Sequence, residues 1–369
     1  REDVVFDIKE YKKAQWKSGD NPGHFTIDGT DYLTLEAVSI KAATGGESKQ
    51  APAALLIRNK SEHVTIRNCY VWAPEATDYA TGTLAGVRTA AENVANRNSD
   101  YFTLEGSTIE GGYQGAYIDG ASYTVLPKLR GALVKGNTFV GQGSVGIYST
   151  KVNETILEDN HIIGTGKVAN PYKAIDAVLT GSTTIRGNKI EIHDLVAVGK
   201  YRELNALHLR GGSVAENTPG RNLIYNNELR LTADNHPSAV YGIYFSDAHI
   251  GKADILHNSV SITGPAEKKN TAALANVGKN NTLEHDVTIK NNLLQNHTGG
   301  YVYYLNRATM KTGLTLSHNA NFTSGANYAY LGEAVDINKW KSETGDATSI
   351  EEEAAFFDEA SSLLPKKVG

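Results

Sequence analysis

One six-residue pattern recurs ten times along the chain and constrains its fold more than any other feature. Each copy reads apolar residue, two variable residues, a special position, one variable residue, and usually an apolar residue. The copies are Leu35–Ile40, Ile66–Val71, Leu104–Ile109, Val134–Phe139, Leu157–Ile162, Ile185–Ile190, Ile224–Leu229, Ile255–Val260, Ile289–Leu294 and Leu316–Asn321. The special position holds Val38, Cys69 and Ser107, then Asn137, Asn160, Asn188, Asn227, Asn258, Asn292 and Asn319. Successive special positions lie from 23 residues apart (Asn137 to Asn160) to 39 apart (Asn188 to Asn227). Helical repeats of fixed length do not vary in this way.

Each repeat also contains a second apolar segment. Examples are Ala85–Arg88, Gly115–Asp119, Gly146–Ser149, Ala174–Ala177, Ala206–Leu209, Gly242–Phe245, Tyr301–Tyr304 and Tyr328–Leu331. Period-two alternation and β-branched residues make these strands rather than helices. Three short strands per turn, stacked in register, specify an all-β fold: a single-stranded, right-handed parallel β-helix of about ten coils. Each coil buries one face of its strands and pairs its backbone with the coils on either side. An Asn at one turn of every coil stacks as a ladder of amides, each donating to one neighbour and accepting from the other.

Composition agrees. The chain of 369 residues holds 36 Gly and 30 Asn, both tolerant of left-handed backbone, but 9 Pro, 1 Cys and 1 Met. One Cys excludes a disulfide framework and a Cys-rich zinc site. Hydrophobic content of 40% with 21% charged residues excludes a disordered chain. A net charge of −5 with both signs interspersed gives no footprint for nucleic acid, and no apolar run approaches the length of a membrane span.

The predicted organisation is an N-terminal cap over 1–24, the parallel β-helix over 25–334 and a C-terminal cap or tail over 335–369. The tail is expected to be partly helical, through Ile337–Thr344 and Glu351–Phe357. Both caps would cover open strand edges. Variable loops are expected after the third strand of a coil, at Ala73–Leu84, Gly164–Lys173, Asp194–Asn205 and Thr263–Asn270. No signal peptide is read, and a first residue of Arg rather than Met is expected of a mature or trimmed form.

The Gly-Ile-Tyr strands and Asn turns resemble those of bacterial secreted right-handed β-helix proteins of the pectate-lyase-like superfamily, over about residues 25–331. The tail Trp340–Asp346, with Ser349 and Phe356–Asp358, is similar to that of uncharacterised bacterial cell-surface β-helix proteins. The resemblance implies a secreted or cell-surface location and a working groove over the second-segment strands, walled by the variable loops. It does not fix a reaction, since the superfamily holds lyases, hydrolases, esterases, epimerases, tailspikes and adhesins.

The groove face can be read by alternation. Val87, Ala116, Ile147, Ile175, Leu207 and Ile243 point inward, so the next residue points out. That outward column reads Arg88, Tyr117, Tyr148, Asp176, His208 and Tyr244. Two residues on, it reads Asp119, Thr150, Arg210 and Ser246, with Val178 interrupting. Asp176 and His208 are expected on adjacent coils about 4.8 Å apart, where they could share a proton. Arg210 is suited to a uronate carboxylate. The candidate catalytic residues are therefore Asp176, His208 and Arg210, and the candidate substrate-binding residues are Arg88, Tyr117, Asp119, Tyr148 and Tyr244. Exposed sheet faces also favour Tyr, Thr and charged residues for stability alone.

The expected function is interaction with a polysaccharide or cell-surface glycan, with a lyase on acidic glycans as the enzymatic form. A lyase needs a base and a cation, which His208 or Tyr148 and Arg210 or Arg88 supply. An inverting hydrolase needs two carboxyls; Asp119 and Asp176 lie at the edge of the required spacing, and the Asp-Asp pair of β-helix pectin hydrolases is absent. Calcium sites in such lyases take several carboxylates, and this face offers Asp119 and Asp176 only, so no cofactor and no metal-ligand set is assigned. The alternative is a non-catalytic adhesin or structural surface protein.

Overall fold

A computed structural model describes residues 4–7, 23–42, 53–76, 85–89, 99–120, 129–168, 171–179, 182–197, 203–211, 220–233, 239–246, 252–265, 270–276, 286–305, 313–358 and 362–366. The chain divides into two compact units, 1–176 with 195–200, and 177–194 with 201–369. Each unit is a parallel β-helix built from three sheets, called here the A, B and C sheets.

In the N-terminal unit the A sheet runs Val4–Asp7, Val38–Lys41, Tyr70–Glu75, Thr108–Gly112, Thr138–Val140 and His161–Val168. The B sheet runs Gly23–Asp28, Ala53–Arg58, Ala85–Thr89, Gln114–Asp119 and Val145–Thr150, followed by the strand that starts at Tyr172. The C sheet runs Thr34–Glu36, Thr65–Arg67, Phe102–Glu105, Leu129–Lys135 and Val152–Glu158. These strands pair in parallel, and the ladder template sets the register: Ile109 pairs with Val71 on one side and Phe139 on the other. Ile66, Leu104, Ile109, Val134 and Phe139 are fully buried. Two such apolar positions per coil, joined by the buried residues of the B sheet, offset the backbone entropy of ordering short strands.

The C-terminal unit repeats the plan. Its A sheet holds Glu228–Thr232, Ser259–Thr263, Leu293–Asn296, Ala320–Thr323 and Ile350–Glu351. Its B sheet holds Glu203–Gly211, Ala239–Phe245, Thr271–Asn276, Tyr301–Leu305 and Ala329–Leu331. Its C sheet holds Thr184–Arg186, Asn222–Tyr225, Lys252–Leu256, Asp286–Lys290 and Leu314–Ser317.

The Asn ladder forms at the turn between the C and A sheets. In the N-terminal unit Cys69 N–H donates to Ser107 Oγ, Ser107 N–H to Asn137 Oδ1, and Asn137 N–H and Nδ2 both to Asn160 Oδ1. In the C-terminal unit the same two-pronged donation runs from Asn188 to Asn227, Asn258, Asn292 and Asn319. The ladder closes on Ser349, whose Oγ accepts from Asn319 N–H at 3.0 Å. The Nδ2 groups of Asn137, Asn160, Asn227, Asn258, Asn292 and Asn319 also donate back to a carbonyl, as Asn258 does to Ile224 at 3.0 Å. These bonds satisfy every donor of a side chain that is about 1% exposed.

A second rule at this turn lies one residue earlier. Ala37, Asn68, Gly106, Gly136 and Asp159 all have φ between 53° and 63°, as do Gly187, Asn226, His257, Asn291 and His318 in the other unit. The turn is therefore a left-handed residue followed by a ladder residue. That pairing accounts for Gly-Asn, Asp-Asn, Asn-Asn and His-Asn dipeptides, since Gly and Asn enter this region at least cost.

The ends differ from expectation in part. Val4–Asp7 is a strand in register with Val38–Lys41, inside the region expected to be irregular, while residues 8–22 lie outside the described residues. Ile337–Thr344 is the expected helix, with Asp336 accepting from Lys339 N–H and Gly345 closing it in left-handed conformation. Its Trp340 is fully buried, stacks on Tyr303 at 4.4 Å, and directs Nε1 to Asp346. Glu351–Phe357 is not helical. Ile350–Glu351 joins the A sheet, and Phe356–Asp358 pairs antiparallel with Ser362–Pro365. The apolar Phe356 and Leu363 are held by Leu293 on the A sheet, which overrides the helix propensity of the acidic run. Parts of the expected loops are strand as well, namely Gly164–Val168, Tyr172–Lys173, Asp194–Ala197 and Glu203–Asn205.

Candidate functional site

The B sheet carries the predicted column, and its register agrees with the alignment at three pairs in the N-terminal unit and one in the C-terminal unit. Arg88 pairs with Tyr117 and Tyr117 with Tyr148, while Asp119 pairs with Thr150. In the other unit His208 pairs with Tyr244. The inward set Val87, Ala116, Ile147, Ile175, Leu207 and Ile243 is buried as expected.

The outer face has one column more than alternation predicts. At Gly86, Gly115 and Gly146 the strand bends, so two consecutive residues face the interior. A Cβ on Gly115 would lie 2.5 Å from the Gly146 carbonyl oxygen and 2.6 Å from the Phe139 ring. The bend sends outward the residue three positions before the Arg88–Tyr117–Tyr148 column. Ala53 and Ala85 consequently pack with Leu56 and Tyr117 in a cluster of their own on this face. In the C-terminal unit Tyr241 and Tyr301 stand beside Tyr244 and Tyr304 for the same reason, packed on Ala272 and Ala275.

In the N-terminal unit this face is an aromatic and ionic cluster. Tyr117 and Tyr148 stack at 4.8 Å, and the Arg88 guanidinium lies 4.8 Å over the Tyr117 ring. Asp119 sits half-buried with Lys151 Nζ at 3.9 Å and the Tyr117 hydroxyl donating at 3.5 Å. Burial raises the Asp119 carboxyl above the ordinary carboxylate range, against the opposing pull of Lys151, Arg88 and the Tyr117 hydroxyl. Arg88 Nε and Asp119 Oδ1 are both buried without a hydrogen-bond partner. Lys173 is the second residue of the strand that starts at Tyr172, with its N–H on the Ser144 carbonyl, and its Nζ donates to Asp176 Oδ2 at 2.8 Å.

In the C-terminal unit the face is mostly tyrosine. His208 stacks on Tyr244 at 5.1 Å, Tyr244 tilts against Tyr241, and Tyr304 stacks on Tyr330 at 4.6 Å with Tyr301 against both. Burial first, and neighbouring tyrosines second, raise the hydroxyls of Tyr241 and Tyr304, so both stay protonated donors at neutral pH. Arg210 is half-buried near the end of its strand.

Two expectations about this face need correction. The column was expected to stand in solvent, yet Asp176 is 4% and His208 5% exposed. Asp176 was expected to be a proton-sharing acid, yet its carboxylate is held in a buried ion pair by Lys173, three residues earlier on the same strand. Of the expected catalytic trio, Asp176 belongs to the N-terminal unit and His208 and Arg210 to the C-terminal unit. Sequence reasoning missed Lys151, Lys173, Tyr241, Tyr301, Tyr304 and Tyr330. Tyr304 and Tyr330 continue the Tyr244 column in register through Ala275, whereas Tyr241 and Tyr301 lie three residues before it, where strict alternation does not place them on this face.

A family model described as periplasmic copper-binding protein (NosD) matches residues 20–259, well over half of the chain. The chain belongs to the NosD family. No curated protein matches it. A periplasmic family agrees with the expected export from the cytoplasm, and no helix among the described residues is long and apolar enough to cross a membrane. The NosD description invites a test for copper. Copper takes soft thiolate or thioether ligands, or imidazole. Among the described residues no group of three His, Cys, Asp or Glu is placed to hold a metal. Cys69, the sole cysteine, is a ladder residue whose thiol donates to the carbonyls of Leu35 and Arg67, and burial raises its pKa. The sole Met, Met310, lies outside the described residues. The described residues do not fit a copper centre.

Proposed function

We propose that this NosD-family β-helix acts outside the cytoplasm and binds an acidic polysaccharide along the outer face of its B sheets. The observation that carries this reading is the cluster of Arg88, Tyr117, Tyr148, Asp119 and Lys151. It combines cations suited to a uronate carboxylate with ring edges and hydroxyls suited to sugar hydroxyls. Tyr117 and Tyr148 use their ring faces on each other, so they offer edges and hydroxyl groups rather than open stacking surfaces. Tyr244, Tyr304 and Tyr330 extend the same chemistry in the C-terminal unit.

Binding is favoured over turnover by the state of Asp176. That carboxylate is already engaged by Lys173, and the lyase reading then rests on His208 with Arg210 as the cation. Affinity electrophoresis through gels containing pectate, alginate or chondroitin sulfate tests binding. Retardation that is lost in Arg88→Ala with Tyr117→Ala supports the proposal; free migration in all three gels refutes it. Ultraviolet absorbance of unsaturated products, read in the same incubations, decides the lyase alternative. Appearance of such products in wild type and their loss in His208→Ala would make the protein an enzyme.

A further inference from the structure

A second aromatic array lies away from the B-sheet face, at the turn that leads into the C sheet of the N-terminal unit. Tyr32, His63 and Tyr101 stack in line, with ring centroids 4.5 and 4.7 Å apart and interplanar angles of 7° and 13°. All three backbones are left-handed, at φ 55°, 55° and 58°. Tyr32 N–H is fixed on the Glu62 carbonyl, His63 N–H on Asp100 and Tyr101 N–H on Arg130. At one end the stack is closed: a Cβ on Gly131 would meet the Tyr101 ring at 2.7 Å, and the Arg130 guanidinium lies over the same ring. At the other end the Tyr32 ring is open, with the residue 77% exposed.

Two comparisons within the molecule set this array apart. The ladder turn also demands a left-handed residue in every coil, and there the positions hold mostly Gly, Asn and Asp. His enters that backbone more readily, as His257 and His318 do at the ladder turn, but Tyr is a costly choice, and here Tyr32 and Tyr101 flank His63. The surrounding charges are also balanced in pairs: Arg58 with Asp28, Arg67 with Glu36, Lys60 with Glu62, and Arg130 with Asp100. The B-sheet cluster brings three cations to two carboxylates, whereas this turn presents a flat ring ringed by neutralised polar groups.

We propose that the Tyr32–His63–Tyr101 stack is a second binding site, at which the open face of Tyr32 receives a pyranose ring of a neutral glycan. An aromatic face is complementary to the C–H face of a sugar ring, and a pre-stacked ring loses little rotamer freedom on binding. Asp31 and Thr30, beside Tyr32, provide acceptors for ring hydroxyls; Asp31 Oδ1 is already anchored by Glu62 N–H. A uronate gains nothing at a turn whose cations are engaged, so the two sites select different sugars.

The test uses the full chain and neutral hexasaccharides of β-1,4-glucose, β-1,4-xylose, β-1,4-mannose and α-1,4-glucose. Saturation-transfer NMR and calorimetry should show at least one of them bound by wild type. Tyr32→Ala should weaken that binding about tenfold, the scale of one aromatic contact, while Tyr32→Trp retains it. The His63 ring protons should shift on titration. Tyr32 is exposed, so the variant keeps its circular dichroism, and its retardation in pectate, alginate or chondroitin gels should be unchanged. That last arm separates failure here from failure of the B-sheet proposal. The proposal is overturned if no neutral hexasaccharide binds, if Tyr32→Ala binds as wild type does, or if Tyr32→Ala only abolishes self-association in ultracentrifugation.

Discussion

Lys173 Nζ donates to Asp176 Oδ2 at 2.8 Å, joining two residues three apart on one strand that a bend turns to the same outer face. A carboxylate removed from such a pair leaves an ammonium group with little access to water, a loss of about 3 kcal/mol or more. Asp176→Asn should therefore lower the urea midpoint clearly, and Lys173→Met combined with Asp176→Leu should recover most of it. An Asp176→Asn protein as stable as wild type would show that this carboxylate serves a ligand rather than the fold.

The ladder supports a second prediction. Asn258 accepts two bonds from Asn227 and donates two to Asn292 and one to the Ile224 carbonyl. Ala at this position removes the side-chain partner of the Asn227 N–H and of the Ile224 carbonyl, both in the preceding coil, each costing about 1–3 kcal/mol. Asn258→Ala is expected to destabilise the chain by about 3 kcal/mol or more in equilibrium urea unfolding. Asn→Ala at the half-buried Asn59, whose amide donates to the exposed Asp28 rather than to a neighbouring ladder residue, should change it by less.

Asp119 makes a prediction about pH. Burial raises its carboxyl in the folded chain, so between the ordinary carboxylate value and the raised one the folded state binds more protons than the unfolded state. Stability then falls as pH rises through that window, and the penalty is fully present above the folded value. Asp119→Asn should flatten this part of the melting-temperature profile and raise the melting temperature at neutral pH. Asp254 has the opposite sign: its bonds to Arg221 hold it below the ordinary range, so its contribution is present at neutral pH and fades in acid. Profiles recorded for Asp119→Asn and Asp254→Asn check the two signs together.

Ala37 occupies the left-handed position of its ladder turn, at φ 55°, with its N–H on the Arg67 carbonyl. A Cβ makes that conformation unfavourable by about 1 kcal/mol, and Gly removes the penalty. Ala37→Gly should raise the thermal midpoint, an unusual result for a glycine substitution. Ala→Gly at Ala116, within a B-sheet strand, should lower it.

The ten-fold template was enough to specify parallel strands, three sheets and the ladder, because one buried amide per coil leaves its mark at a fixed place in each repeat. The residue before it escaped notice because Ala37, Asn68, Gly106, Asp159 and His257 share a backbone angle and no side-chain property. The predicted groove residues Arg88, Tyr117, Asp119 and Tyr148 do come together. Lys173 and Tyr301 were hidden because a period of two cannot be counted through a bend where consecutive residues both face inward. The extended form of Phe356–Asp358 was equally illegible, since it depends on Leu293, more than sixty positions away in the chain.

Coil length in this chain is free, ranging from 23 to 39 residues, while the left-handed residue and its ladder partner recur without a shift. Loop growth therefore stays local: added residues bulge out, and the next coil resumes in step. A single residue added between the ladder position and its strand would instead invert which side chains face the interior along that strand. Within each unit the two-residue turn thus works as an index mark, and it lets the outer columns change identity residue by residue while their pitch is conserved.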